Sequence, residues 1–376
     1  MFNRHLILPS SSPPNYYLSL SNYLVFKNGL SFFNALTWKS KIKKKLMFLA
    51  YHIFNIKNIL VGQRALTSDK SGTLSSILDS LNINAINTNV YMPSYGKAIV
   101  QNLSNSGQCL KIVKIALDEE SGSELKEESV KLQFLSKLLV NTFEIPYVLN
   151  EGYQESLYYA EHKCPAYYEP MEYLDYSDKM IGILAELFHC SGIAEAFVNE
   201  TDFFDRIQTN KAKVTDQKTE ELFSKVIHLY DDIRFRFKVP LGLVHGDFKP
   251  WNLLINKETE RLFIVDWPMM SPNGFPLWDA FSYTMFTYFT LHYDVTPEKA
   301  FQVFRKHEGF YKNYCHRLNI DDFCIMNLLP LYLVDILSTG NMWSRWEKNE
   351  GRPARIADSI LKFLRYIIDS NQFNKV

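Results

Sequence analysis

The sequence predicts an α+β chain, with a small β-rich lobe followed by a larger, mainly helical one. Between Ala85 and Ala160 short apolar runs alternate with turn signals, and one long charged helical pattern interrupts them. From Ser177 onward helical periodicity dominates. Within that second half, two brief apolar runs read as buried strands: Leu243-Val244, with Asp247 just beyond it, and Leu262-Phe263-Ile264-Val265, with Asp266 at its end. A β-rich half followed by an α-rich half implies two lobes.

Length and composition fit that reading. A chain of 376 residues suggests about two or three domains, here an N-terminal elaboration over 1–80, a small lobe over 81–162 and a larger lobe over 163–376. Apolar residues at 47% and charged ones at 22% are the proportions of a soluble globular protein. The 41 basic and 41 acidic residues balance, so no nucleic-acid partner is expected. Cys109, Cys164, Cys190, Cys315 and Cys324 are scattered without a C-x-x-C pair, which predicts neither a disulfide framework nor a zinc site and points to a reducing cytoplasm. Met1 to Pro14 carries no signal-peptide pattern. The most apolar stretch, Leu46 to Val61, is broken by His52, Asn55, Lys57 and Asn58, so no membrane span is expected.

Ser10 to Pro14 bounds a short strand at Leu6–Leu8, and Tyr16 to Phe26 alternates like a second strand. Phe32 to Leu60 reads as one or two helices, with five lysines between Lys39 and Lys45. That run is either a solvated helix face or a contact for an anionic membrane surface or substrate. Thr67 to Thr73 reads as a connector and Thr73 to Leu81 as a helix. Strands are predicted at Ala85–Tyr91, Lys97–Leu103 and Cys109–Leu117, the last two joined by Asn105-Ser106-Gly107. Ser123 to Val140 is a helix with Leu125, Leu132, Leu135 and Leu139 on one face, and Ile145–Leu149 and Tyr158–Ala160 are strands. Helices follow at Lys179–His189, Thr219–Phe235, Trp278–His292, Ile325–Ser338 and Arg355–Ile368.

The segment Leu243-Val244-His245-Gly246-Asp247-Phe248-Lys249-Pro250-Trp251-Asn252 carries the chemistry. An Asp, an Asn five residues later and a further Asp at a strand end form the set that phosphoryl transfer needs. Asp247 is the candidate base for an acceptor hydroxyl, and Asn252 and Asp266 are candidate oxygen ligands for Mg²⁺ on the phosphates of ATP. Lys249 either neutralises the transferring group or is a solvated loop lysine; His245 either buttresses the loop or shuttles protons. Gly246 suits close packing or a positive φ beside the base.

These residues resemble the aminoglycoside phosphotransferase/choline kinase family in H-G-D-F-K-P-W-N and I-V-D-W. Leu184 to His189 resembles its L-A-x-L-H helix with one inserted position, and Gly274 to Asp279 its G-x-P-x-x-D segment. The resemblance, over about residues 84 to 290, implies a two-lobed protein-kinase-like fold. It also implies ATP·Mg²⁺-dependent phosphorylation of a small-molecule hydroxyl. By it, Asp279 braces the catalytic loop, and Lys114 in L-K-I-V-K-I pairs with the α- and β-phosphates. The partner of Lys114 is then Glu128, or failing that Glu127. Ala160 to His162 form the hinge, so that Glu161 and His162 contact the nucleotide through backbone groups.

The chain departs from the pattern in lacking G-x-G-x-x-G, which leaves Pro93-Ser94-Tyr95-Gly96 as the phosphate-covering turn, and in carrying Pro268 where an acidic residue is common. Gly246 replaces the Arg of a protein kinase's H-R-D, and only 12 residues separate Asp266 from Asp279. Both favour a small acceptor (a sugar, an amino-alcohol or an aminoglycoside-like molecule) over a peptide. A protein kinase and a catalytically silent nucleotide-binding protein are the rival readings. Glu298, Asp321, Asp322, Asp335, Trp343 and Trp346 are candidates to line the acceptor pocket.

Overall fold

Seven antiparallel strands order the first part of the chain, and Lys114 lies well inside them. The structure, a computed structural model, describes residues 5–8, 15–19, 21–30, 36–53, 76–83, 87–92, 96–163, 168–211, 214, 216–231, 237–256, 258–338 and 351–370. The connector at 67–73, Pro93 to Tyr95, Cys164, Trp343 and Trp346 lie outside the described residues. Two compact units emerge, one of Met1–Leu174 with Pro250–Pro268 and one of Asp175–Lys249 with Met269–Val376.

In the first unit, strands β1 (His5–Leu8), β2 (Asn15–Ser19), β3 (Thr88–Met92), β4 (Lys97–Leu103), β5 (Cys109–Ala116), β7 (Val148–Gln154) and β8 (Leu157–Lys163) form a sheet ordered β1-β2-β3-β4-β5-β8-β7. Alternation decides its two faces. Val90, Ala98, Val100, Val113 and Ile115 point to one side, where Ile77, Leu78 and Ile83 complete a buried cluster. Ala116, Tyr158 and Ala160 point to the other, against Leu125 of α3 (Glu119–Leu135). Helix α3 starts earlier than its apolar periodicity suggests, because Asp118 caps it by accepting from the Ser121 N–H at 2.8 Å.

The expected strand Tyr16–Phe26 is corrected to a strand ending at Ser19 and a helix, α1 (Tyr23–Gly29). Asn22 breaks the strand: its side chain caps α1 by accepting from the Val25 N–H at 3.0 Å. Helix α2 (Trp38–Ile53) packs Met47, Phe48 and Tyr51 onto Phe26, Leu30 and Leu18.

A second sheet in this unit is ordered β6-β13-β12-β9, from β6 (Phe143–Glu144), β9 (Tyr168–Pro170), β12 (Leu253–Asn256) and β13 (Leu262–Ile264). β12 and β13 form a hairpin with Leu253 opposite Ile264, and β6 runs parallel to β13.

The second unit is mainly helical around a short sheet of β10 (Ala194–Phe197), β11 (Lys238–Val244) and β14 (Ser271–Gly274). The helix Asp178–His189 buries Met180, Ile181, Ile183, Leu184, Leu187 and Phe188 along one side. The run expected as one helix from Trp278 to His292 contains a π-turn at Ser282–Phe286, marked by the Thr287 backbone N–H donating to the Ser282 carbonyl. Among the described residues no helix is long and apolar enough to cross a membrane. Cys109 is disulfide-bonded, which the scattered spacing did not suggest, whereas Cys190, Cys315 and Cys324 are free thiols.

Candidate active site

Within the first unit, Lys114 stands mid-strand on the α3 side of β5. Its Nζ donates to both oxygens of Glu128, at 2.7 and 2.8 Å, and lies 3.2 Å from Oδ1 of Asp266. Glu128 is held by helical spacing among Leu125, Leu132 and Leu135 on the buried side of α3. Glu127 points outward and pairs with Lys131 at 2.7 Å instead. Burial opposes the charged form of Lys114, but Glu128 and Asp266 together outweigh it and hold its pKa above the ordinary lysine value.

Asp266 follows β13 with φ of +70°, a left-handed conformation that Asp tolerates better than most side chains. Asn252 immediately precedes β12, and the Val265 N–H donates to the Asn252 carbonyl at 2.9 Å. The hairpin register therefore puts Asn252 and Asp266 at the same end of one two-stranded element. Both are oxygen donors, and the described residues contain no cluster of three His, Cys, Asp or Glu side chains that suits a metal. A hard cation that keeps most of its waters and takes one amide and one carboxylate oxygen fits this donor set.

Glu128 also accepts from the backbone N–H of Trp267 at 3.1 Å, and Lys131 donates to the Pro268 carbonyl. The indole N–H of Trp267, fully buried, donates to the Ile264 carbonyl at 2.8 Å. The D-W-P turn is thus tied to α3 at two points.

The residues expected at the hinge divide between the sheet faces. Glu161 lies opposite Val113 and pairs with Lys111 at 2.9 Å, on the face away from Lys114. His162 lies opposite Ile112, two residues before Lys114, and so shares the Lys114 face. It is buried, and among the described residues its Nε2 has no hydrogen-bond partner. Burial, reinforced by the Lys114 charge, lowers its pKa to about 3 and keeps the ring neutral.

Within the second unit, the loop after β11 is fixed by Asp279. Its Oδ2 accepts from the His245 N–H at 2.7 Å and its Oδ1 from the Gly246 N–H at 2.9 Å. Burial pushes the Asp279 carboxyl up to about 7, while those two backbone donors act in the opposite sense. Gly246 has φ of +79°, and a Cβ there would sit 2.3 Å from the Met269 carbonyl oxygen, so only glycine fits. The fully buried His245 accepts from the Asp247 N–H through Nδ1 at 3.2 Å. Lys249 is ion-paired with Asp247, and its ammonium lies 4.1 Å from the ring centroid of Phe286 in the π-turn.

The profile of the phosphotransferase enzyme family matches residues 111–304, more than half of the chain. The chain belongs to this family. Among solved structures, the GDP complex of wild-type aminoglycoside 2'-phosphotransferase-IIIa aligns with TM-score 0.51 and 14% identity, over 81% of this chain and 100% of its own. The GDP complex of a point mutant of that enzyme aligns with TM-score 0.50 and 14% identity, over 81% of this chain and 98% of its own. A Plasmodium vivax ethanolamine kinase aligns over 87% of this chain and 96% of its own at 9% identity, with a TM-score of 0.45 that is too low to bear on the fold. No curated protein matches the chain. This phosphotransferase-family member has the α+β, two-lobed protein-kinase-like fold.

No motif of the phosphotransferase sequence assigns a role to the Trp267 N–H, Lys131 or Phe286, yet each contacts a motif residue or the turn beside it. Only Lys131 left a trace, three residues after Glu128 and so on a neighbouring part of the same helix. Of the acceptor-pocket candidates, Asp335 is buried and engaged by Arg206 and by the Trp278 indole, each at 3.0 Å, so it holds helices together. Asp321 accepts from the Phe323 N–H at 3.0 Å at a helix start, and Glu298 is exposed.

Proposed function

We propose that this phosphotransferase moves the γ-phosphoryl group of ATP to a hydroxyl of a small molecule such as a sugar, an amino-alcohol or an aminoglycoside-like compound. The observation that carries the reading is Lys114 held by both oxygens of Glu128 beside Asp266. A buried lysine fixed by two carboxylates serves to meet phosphate oxygens. Asn252 and Asp266 would hold Mg²⁺ through oxygen. When bound, that ion supplies positive charge against the β- and γ-phosphate oxygens. His162, neutral and with an unpartnered Nε2 on the Lys114 face, would meet the nucleotide.

The acceptor hydroxyl loses its proton to Asp247 as its oxygen bonds to the γ-phosphorus. The bond from that phosphorus to the β–γ bridging oxygen breaks, and ADP leaves with the electron pair. Lys249 balances the Asp247 charge and stands as the positive group for the transferring phosphoryl. Asp279 and Gly246 position the loop and touch no substrate.

A small acceptor is favoured over a peptide because β14 takes up the span between Asp266 and Asp279, with Gly274 paired to Gly242 and Ser271 to Val244. That leaves little chain for a long activation segment. An ATP-consumption screen against sugars, amino-alcohols and aminoglycosides, with Asp247→Asn as the blank, tests the reading. Turnover with one class that disappears in the variant is expected; a peptide substrate, or no turnover with any class, would count against it.

A further inference from the structure

Helix α2 carries a second surface that phosphoryl transfer does not use. Its inner side is committed to the fold: Met47, Phe48 and Tyr51 pack on the α1 cluster, and Lys44 pairs with Glu172 at 2.5 Å. Tyr51 stacks on Phe26 at 4.6 Å between centroids, which fixes the rotation of the helix. The start of the helix is fixed as well, since Thr37 and Ser40 exchange hydrogen bonds, the Thr37 N–H to the Ser40 hydroxyl at 3.0 Å and the Ser40 N–H to the Thr37 hydroxyl at 3.2 Å.

With that rotation set, the outer side is not the solvated polar face that five lysines suggest. Trp38 is 68% exposed, Ile42 45%, Leu46 57% and Leu49 50%. At about 100° per residue these four lie within about 80° of one another. Lys41 and Lys45 border one edge of the stripe, and Lys39 and Lys43 the other; all four are exposed. Between Trp38 and Ile53 there is no Asp or Glu.

We propose that the outer face of α2 docks onto an anionic lipid bilayer. An apolar stripe with basic side chains along both edges matches a planar interface: the apolar groups enter the acyl boundary, and the lysine stems run beside them to place ammonium groups among the headgroups. A tryptophan at the end of the stripe suits the headgroup level. Nucleic acid would leave the stripe without a partner, and a neutral membrane would leave the lysines without one. Charge complementarity therefore selects a negatively charged surface.

Vesicle flotation of the full chain tests this, using phosphatidylcholine alone and phosphatidylcholine with about one-third phosphatidylglycerol. The chain should float with the anionic vesicles, not with the neutral ones, and binding should weaken as salt rises. One variant combines Lys39→Glu, Lys41→Glu, Lys43→Glu and Lys45→Glu; another combines Trp38→Ser, Ile42→Ser, Leu46→Ser and Leu49→Ser. Each should lower binding by at least about tenfold, with the thermal midpoint and phosphoryl transfer retained because every altered side chain is exposed. Absence of flotation with anionic vesicles, or unchanged flotation of both variants, overturns the proposal. So does a dimeric mass in light scattering that the serine set abolishes without vesicle binding by the parent chain, because the face would then belong to a second copy.

Discussion

Glu128 accepts the backbone N–H of Trp267 at 3.1 Å with the same carboxylate that holds Lys114. One buried side chain thereby fixes both Lys114 and the turn that follows Asp266. Glutamine at 128 keeps the shape but supplies one acceptor oxygen for two donors and removes the charge that offsets Lys114. Breaking a buried pair in this way costs about 3 kcal/mol, at the lower end of its range because Asp266 remains beside the lysine. Urea unfolding of Glu128→Gln should show that loss together with a strong fall in kcat/KM. Glu127→Gln, at an exposed pair, should stay within about 0.5 kcal/mol of the parent; equal effects in the two variants would remove Glu128 from its role.

Base and metal-ligand roles separate by measurement. Asp247→Asn should reduce kcat by at least about a hundredfold, the scale of a lost general base, while nucleotide still raises the thermal midpoint. Asp266→Ala should instead lose the additional stabilisation that Mg²⁺ gives in the presence of nucleotide. The readout is the midpoint with nucleotide alone and with nucleotide plus Mg²⁺. A Mg²⁺ increment that survives in Asp266→Ala would exclude it as a ligand.

Gly246→Ala places a methyl group against the Met269 carbonyl at a φ of +79°. Left-handed strain and the clash together should cost on the order of 2 kcal/mol, and the loop carrying Asp247 should shift with them. Lower activity accompanied by a lower thermal midpoint is expected. An alanine variant of parental stability would show that the loop relaxes around the methyl.

Titration of His162 gives a pH dependence with a definite sign. Its pKa is about 3 in the folded chain and roughly 6.5 when unfolded, so the unfolded chain binds the extra proton below that value. The stability contribution of the neutral ring is therefore present above about pH 6.5 and is lost as pH falls toward 3. Relative to His162→Phe, the parent chain should lose up to roughly 1.4 kcal/mol for each pH unit in that window. Chemical unfolding at a series of pH values measures it, and a difference that stays flat from pH 6.5 to 4 would show that His162 is solvated in the folded chain.

What the sequence determined by itself is local. Alternation in Lys97–Leu103 and Cys109–Ala116 marks the central hairpin, because a half-buried strand needs a period of two. The leucines of α3 mark its buried side, and the family resemblance points to Glu128, or failing that Glu127, as the partner of Lys114. The spacing of Asp247, Asn252 and Asp266 is likewise written along the chain. The tertiary structure decided what depends on register and rotation. Pairing of Val113 with Glu161 and of Ile112 with His162 sends the Glu161 side chain to Lys111 and leaves His162 on the Lys114 face. Asn22 turned an apparent strand into a helix, because one side-chain oxygen on a backbone N–H outweighed a loose alternation. The stacking of Tyr51 on Phe26 set which side of α2 faces outward. A lysine-rich run states its charge in sequence, but the direction in which its apolar neighbours point is fixed only when the opposite side of the helix has been buried.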